Sequence, residues 1–157
     1  MNKPDASLVQ RIFLSHKKIL EGLLVKNYIS ISHVGGTSIP GALTKGDVDI
    51  QIRASHKNIT HIQKVMGVNY VVKNPEIWTD SFCVYKCEDV LPVDIIVVVE
   101  NTEYDTHLKA REILMENPLL LQEYNDLKIT LLKTDVELYR KKKYEFFKRI
   151  TNNIDTP

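Results

Sequence analysis

The chain has 157 residues, of which 43% are hydrophobic and 26% charged, with a formal net charge of +1. That length suits one domain with a sizeable core, and the charge balance excludes an acidic disordered chain and gives no overall basic field pointing to nucleic acid. Cys83 and Cys87 lie too close in one segment to bridge without distorting it, no Cys/His set has zinc-ligand spacing, and no apolar run is long enough to cross a bilayer.

The polar start, Met1 to Asp5, lacks a signal-peptide core, and with the reduced cysteines it points to a cytoplasmic protein. Leu8, Ile12, Ile19 and Leu23 recur at helical spacing, which predicts an amphipathic helix over 6–26 capped by Asp5 or Ser7. A short strand is expected over 29–34, closed by Gly35-Gly36, and Pro40-Gly41 limits the next segment to a turn. From Asp47 to Arg53 the residues alternate: Val48, Ile50 and Ile52 share one face, while Asp47, Asp49, Gln51 and Arg53 share the other.

A helix is expected over 56–66, then strands over 69–73 and 82–86 separated by a loop with Pro75 and Trp78. The run Pro92 to Val99 is the most apolar in the chain and rich in β-branched residues, as in a central strand. Three helices then fit 104–116, 119–132 and 135–151, with Asn117-Pro118 dividing the first two. The expectation is a single domain over 1–157, with a sheet region at about 28–100 and a helical tail at about 103–151. Tyr124, Tyr139, Tyr144, Phe146 and Phe147 recur at near-helical spacing and are expected in the core between the tail helices.

Two carboxylates at i and i+2 of a strand share a face with backbones roughly 6–7 Å apart, which lets them share one metal or bridge two. Asp47 and Asp49 are such a pair, and Asp94, early in the apolar strand, is the candidate third ligand, because a carboxylate there is costly to bury unpaired. Carboxylates are hard oxygen ligands suited to Mg²⁺. Gly35 and Gly36 allow close backbone approach to phosphate, Thr37 and Ser38 add hydroxyls, and Lys45 is either a phosphate contact or a loop residue. Together these residues suit transfer of a nucleotide from its triphosphate. The structural alternatives are a solvent-facing strand edge for Asp47 and Asp49, a pairing with Lys or Arg for Asp94, and a tight turn for the glycines. His33 reads as a hydrogen-bonded residue at a strand end, Arg53 as an ion-pair partner or phosphate contact, and Arg140 to Lys143 as a solvated helix face that could alternatively touch phosphate.

The pattern Val34-Gly35-Gly36, then Asp47-Val48-Asp49-Ile50, then Asp94 resembles the nucleotidyltransferase superfamily related to DNA polymerase β. The segment His33-Val34-Gly35-Gly36-Thr37-Ser38-Ile39-Pro40-Gly41 is similar to the GrpB family's His-Ile-Gly-Ser-Thr-Ser-Val-Pro-Gly. Leu114 to Pro118, Gln122 to Lys128 and Tyr139 to Phe147 resemble that family's closing helices. The likeness implies an α/β (α+β) fold: a nucleotidyltransferase-like mixed sheet flanked by helices, with a helical C-terminal portion. Where GrpB proteins usually read Lys-Pro-apolar-apolar-Asp, this chain has Lys45-Gly46-Asp47-Val48-Asp49, so Asp49 matches the family aspartate and Asp47 is an addition. The family's His-rich strand segment is here Val93-Asp94-Ile95-Ile96.

The resulting expectation is an Mg²⁺-dependent nucleotidyltransferase with two ions, ATP as the first candidate triphosphate, and an unidentified small or macromolecular acceptor. Asp47, Asp49 and Asp94 are the metal and catalytic candidates. Gly35, Gly36, Thr37, Ser38 and Lys45 are the triphosphate-binding candidates. The alternative is a catalytically silent module of the same fold that binds a nucleotide or a partner.

Overall fold

The computed structural model describes residues 4–25 and 28–152. Among these, the elements run α1 (Ala6–Leu23), β1 (Ile29–Val34), β2 (Val48–Ala54), α2 (His56–Asn69), β3 (Val71–Lys73), β4 (Phe82–Glu88), β5 (Pro92–Val99), α3 (His107–Glu116), α4 (Pro118–Leu131) and α5 (Val136–Asn152). The five strands form one mixed sheet in the order β1-β2-β5-β4-β3. Only the β2–β5 pair is parallel, with every other neighbour antiparallel. A parallel neighbour requires a crossover, and the chain between β2 and β5 supplies it through α2 and the β3–β4 edge. This is the mixed sheet flanked by helices, with a helical C-terminal portion, that the sequence pattern implied.

The alternation in β2 decides which way the sheet faces. Val48, Ile50 and Ile52 are fully buried with Val93, Ile95 and Val97 of β5, against α1 and α2. α1 starts where Asp5 accepts a hydrogen bond from the Ser7 amide at 2.8 Å, and it buries Val9, Ile12, Phe13 and Leu20. Asp49, Gln51 and Arg53 look to the opposite face, which the tail helices cover. There Ile39 and Ala42 pack with Leu114, Tyr124, Phe146 and Ile150. Cys83 and Cys87 are free thiols, as expected.

The elements differ from their expected bounds in places with local causes. α2 extends to Asn69, which delays β3 to Val71. α3 begins at His107 rather than 104, because Asp105 is held in the preceding turn by Arg53 through bonds of 2.7 and 2.6 Å. Arg53 is therefore an ion-pair partner of Asp105. Asn117 caps α4 through a 3.2 Å bond from the Leu120 amide, with Pro118 at its first turn, as the dipeptide suggested. Tyr124, Tyr139 and Phe146 are buried and Phe147 is half-buried, but Tyr144 departs from the core expectation. It is 65% exposed, because it lies on the outer side of α5 with the Lys148 ammonium 5.9 Å from its ring. No helix among the described residues is long and apolar enough to cross a membrane.

Candidate metal centre

Register brings the carboxylates together. In the parallel β2–β5 pair, Asp49 stands directly opposite Asp94, so both side chains project from the same face of adjacent strands. Asp47 immediately precedes β2 and follows Gly46, whose φ of +105° lets the chain turn into the strand. One carboxylate oxygen from each of Asp47, Asp49 and Asp94 lies within 4.8 Å of the others.

On the other side of β2, Val34 of β1 pairs with Asp49, which places the β1 exit beside the Asp49 carboxylate. Gly35 takes φ +73°, and a Cβ there would meet Asp49 Oδ2 at 1.9 Å. The glycine is thus required twice, by its conformation and by the carboxylate that fills its side-chain space. The chain then makes a single 3₁₀ turn over Gly36–Ser38. Thr37 donates its hydroxyl to the Asp47 carbonyl at 2.9 Å, and His33 Nε2, 3.0 Å away, donates to the Thr37 oxygen. Ser38 donates to the Gly35 carbonyl at 2.7 Å. Both hydroxyl protons, expected as phosphate donors, instead brace the loop against Asp47 and Gly35. His33, stacked on Phe13 with centroids 5.1 Å apart, is the hydrogen-bonded strand-end residue expected. Burial, helped by Arg111, holds its imidazole down at about 4, so it is neutral at pH 7.

The carboxylates open onto a cavity of about 150 Å³ lined by Gly35, Gly36, Thr44, Lys45, Asp47, Asp49, Tyr124, Lys128, Leu132, Tyr139 and Lys143. Five of the eight residues singled out from the sequence line it, with Asp94 at ligand distance; Thr37 and Ser38 stand behind it. The tail residues Tyr124, Lys128 and Tyr139 lie outside the set that the sequence marks for the site, and Lys143 belongs to a run that reads chiefly as a solvated helix face. Tyr124 and Lys128 are one helical turn apart, and a buried aromatic with a lysine at i+4 was the available signal. Lys128 Nζ donates to the Leu43 carbonyl, lies 3.8 Å from the Tyr124 ring centre and sits beside Gly36. Burial and the neighbouring Lys143 push its ammonium down to about 8.

The electrostatics favour a cation. Burial, followed by the charges of Asp47 and Asp94, pushes the Asp49 carboxyl up to about 7. Asp94 Oδ2 accepts a hydrogen bond from Lys73, the Lys pairing that the sequence offers as the alternative for Asp94. Three hard carboxylate donors at mutual ligand distance, one of them raised toward neutrality by burial and its two acidic neighbours, fit a divalent ion such as Mg²⁺. A larger cavity of about 710 Å³ lies toward the other end of β2, by Arg53, Asp105, Tyr144 and Lys148. It holds none of the metal-ligating cluster.

The model of the family described as GrpB protein matches residues 3–153. The chain belongs to the GrpB family. A UPF0157 protein from Vibrio cholerae is 33% identical over 122 residues, which are 77% of this chain. The match spans 65% of that relative's length. The crystal structure of the conserved protein GrpB from Enterococcus faecalis superposes with a TM-score of 0.72, covering 92% of this chain and 93% of that one at 18% identity. A looser resemblance, TM-score 0.39 at 9% identity, links 78% of this GrpB chain to 46% of a cytoplasmic RNA terminal U-transferase.

Proposed function

We propose that this GrpB chain is a divalent-metal-dependent nucleotidyltransferase, moving a nucleoside monophosphate from a triphosphate to an acceptor and releasing pyrophosphate. The observation that carries the reading is the convergence of Asp47, Asp49 and Asp94 within 4.8 Å beside a glycine loop. Asp47, Asp49 and Asp94 would hold Mg²⁺, which when bound offsets the charge on the reacting phosphate and its leaving group. Gly35 and Gly36 let the backbone lie close to the phosphates, with Thr37 and Ser38 bracing that loop. Lys45, Lys128 and Lys143 surround the same cavity and supply positive charge toward the triphosphate. Lys128 suits this role because its ammonium is already desolvated beside Gly36.

In the transfer, an acceptor hydroxyl or phosphate oxygen bonds to the α-phosphorus. The α–β bridging bond breaks, and its electron pair leaves with pyrophosphate. The proton of an acceptor hydroxyl passes to the Asp94 carboxylate, which Lys73 orients in the resting site. ATP is the first triphosphate to test.

Titration with Mg²⁺ and ATP tests the assignment. Asp47→Asn and Asp49→Asn are expected to lose Mg-nucleotide binding, and wild-type affinity in both variants would overturn it. A second reading is a module of the same fold that binds nucleotide without turnover, which the glycine loop and the lysines around the cavity support equally. Pyrophosphate release over an acceptor panel, lost in Asp94→Asn, separates the two.

A further inference from the structure

Lys73 stands apart from the other lysines around the triad. It comes from β3 at the edge of the sheet, pairs in register with Val84 of β4, and reaches across β4 to Oδ2 of Asp94 on β5. Register sets Lys73 level with Ile96, two residues along from Asp94, so two strand spacings and that offset make the span roughly 12 Å, within the combined reach of a lysine and an aspartate side chain. Its backbone is fixed as well. The Trp78 indole donates to the Lys73 carbonyl at 3.0 Å, and Trp78 in turn packs on Tyr85 with ring centres 5.1 Å apart. The pair is mostly shielded, with side-chain exposures of 33% for Lys73 and 16% for Asp94, so solvent screens it less than a surface ion pair.

We propose that Lys73 is a resident counter-ion that holds the triad at single-cation occupancy until a polyphosphate arrives. This rests on the metal-site reading above. When all three carboxylates are ionised they carry three negative charges, and one ammonium with one divalent ion balances them. A second divalent ion then meets no uncompensated charge, and it also has to compete with Lys73 for the Asp94 carboxylate. The lysines lining the cavity, Lys45, Lys128 and Lys143, oppose it further. A bound triphosphate brings its own negative charge and reverses that balance. Lys73 thereby couples loading of the second ion to the presence of substrate, acting as a positioning residue through Asp94.

Mn²⁺ alone, followed by calorimetry and by electron paramagnetic resonance, reads the occupancy directly. Wild type is expected to bind one ion without nucleotide and two with a non-hydrolysable triphosphate analogue. Lys73→Met is expected to bind two ions without nucleotide, or one ion on the order of tenfold more tightly, the size expected from removing one nearby charge. Lys73→Arg should behave as wild type. Two ions on the nucleotide-free wild-type protein overturn the proposal, whether or not Lys73→Met folds. Unchanged stoichiometry and affinity in a folded Lys73→Met also overturn it, while leaving the metal site standing. A wild-type protein that binds no Mn²⁺ overturns the metal site and this inference together.

Discussion

Asp49 occupies the space where a side chain at position 35 would stand: a Cβ on Gly35 would lie 1.9 Å from Asp49 Oδ2. Gly35→Ala therefore has to move either the β1 exit or the carboxylate, and it must also hold alanine at φ +73° and ψ −173°, a region essentially restricted to glycine, which by itself costs about 1–3 kcal/mol. The expected outcome is a lower melting temperature and at least a tenfold loss of Mn²⁺ affinity. Gly36→Ala is the control. Its nearest contacts would be the Lys128 ammonium and the Thr44 Cβ, both at 3.3 Å, and the flexible lysine can yield. It should fold and retain Mn²⁺ binding.

The protonation of Asp49 makes stability depend on pH. Its carboxyl is raised from 3.8 to about 7 in the fold, so between those values the native state holds a proton that the unfolded chain has released. Stability is thus greatest at low pH with respect to this group, and it falls as pH rises toward 7. The slope is at most about 1.4 kcal/mol per pH unit. Urea unfolding in EDTA should show wild type losing stability relative to Asp49→Asn between pH 5 and pH 8. Added Mg²⁺ should shrink the difference at pH 8, because it replaces the missing positive charge. A flat difference across that range would count against a strained Asp49.

The half of the site that lies on the sheet could be read from the chain because local rules place it. A period of two put Asp49 on the face opposite Val48, Ile50 and Ile52, and a β-branched run marked the strand carrying Asp94. That Asp49 and Asp94 stand opposite one another depends on the β2–β5 register, which no local pattern contains. Lys128 lies 85 residues from its Leu43 partner, and Lys73 lies 21 from Asp94. On their own elements both look like ordinary solvated lysines. Thr37 and Ser38 had the chemistry of phosphate donors, yet their protons serve the loop, since only the folded turn shows which carbonyls stand nearby.

Lys128→Met separates the metal from the anion side of the site. The methionine keeps the bulk against Tyr124 and removes a buried ammonium whose tendency to ionise is already depressed. Triphosphate affinity is expected to drop about tenfold through loss of a close charge. Mn²⁺ affinity without nucleotide should hold or rise slightly. Calorimetric titrations of each ligand check this, and a parallel loss of Mn²⁺ binding would mean that Lys128 holds the fold of the site rather than its anion.

Asp105 is the anchor that ties the face of β2 carrying Asp49 to the turn before α3. It accepts from Arg53 at 2.7 and 2.6 Å, from the Gln51 amide at 3.3 Å and from the Asn101 backbone at 3.0 Å. Its side chain is 7% exposed against 31% for Arg53, so losing the carboxylate leaves a partly shielded guanidinium and buried donors without their acceptor. Asp105→Ala is expected to destabilise the protein by about 1–3 kcal/mol, the usual cost of leaving shielded donors without their acceptor. Arg53→Met combined with Asp105→Leu should recover part of that loss, because no charge is then stranded. Equilibrium unfolding of Arg53→Met, Asp105→Leu and the double variant gives the coupling energy, and simple additivity would show that the two side chains act independently.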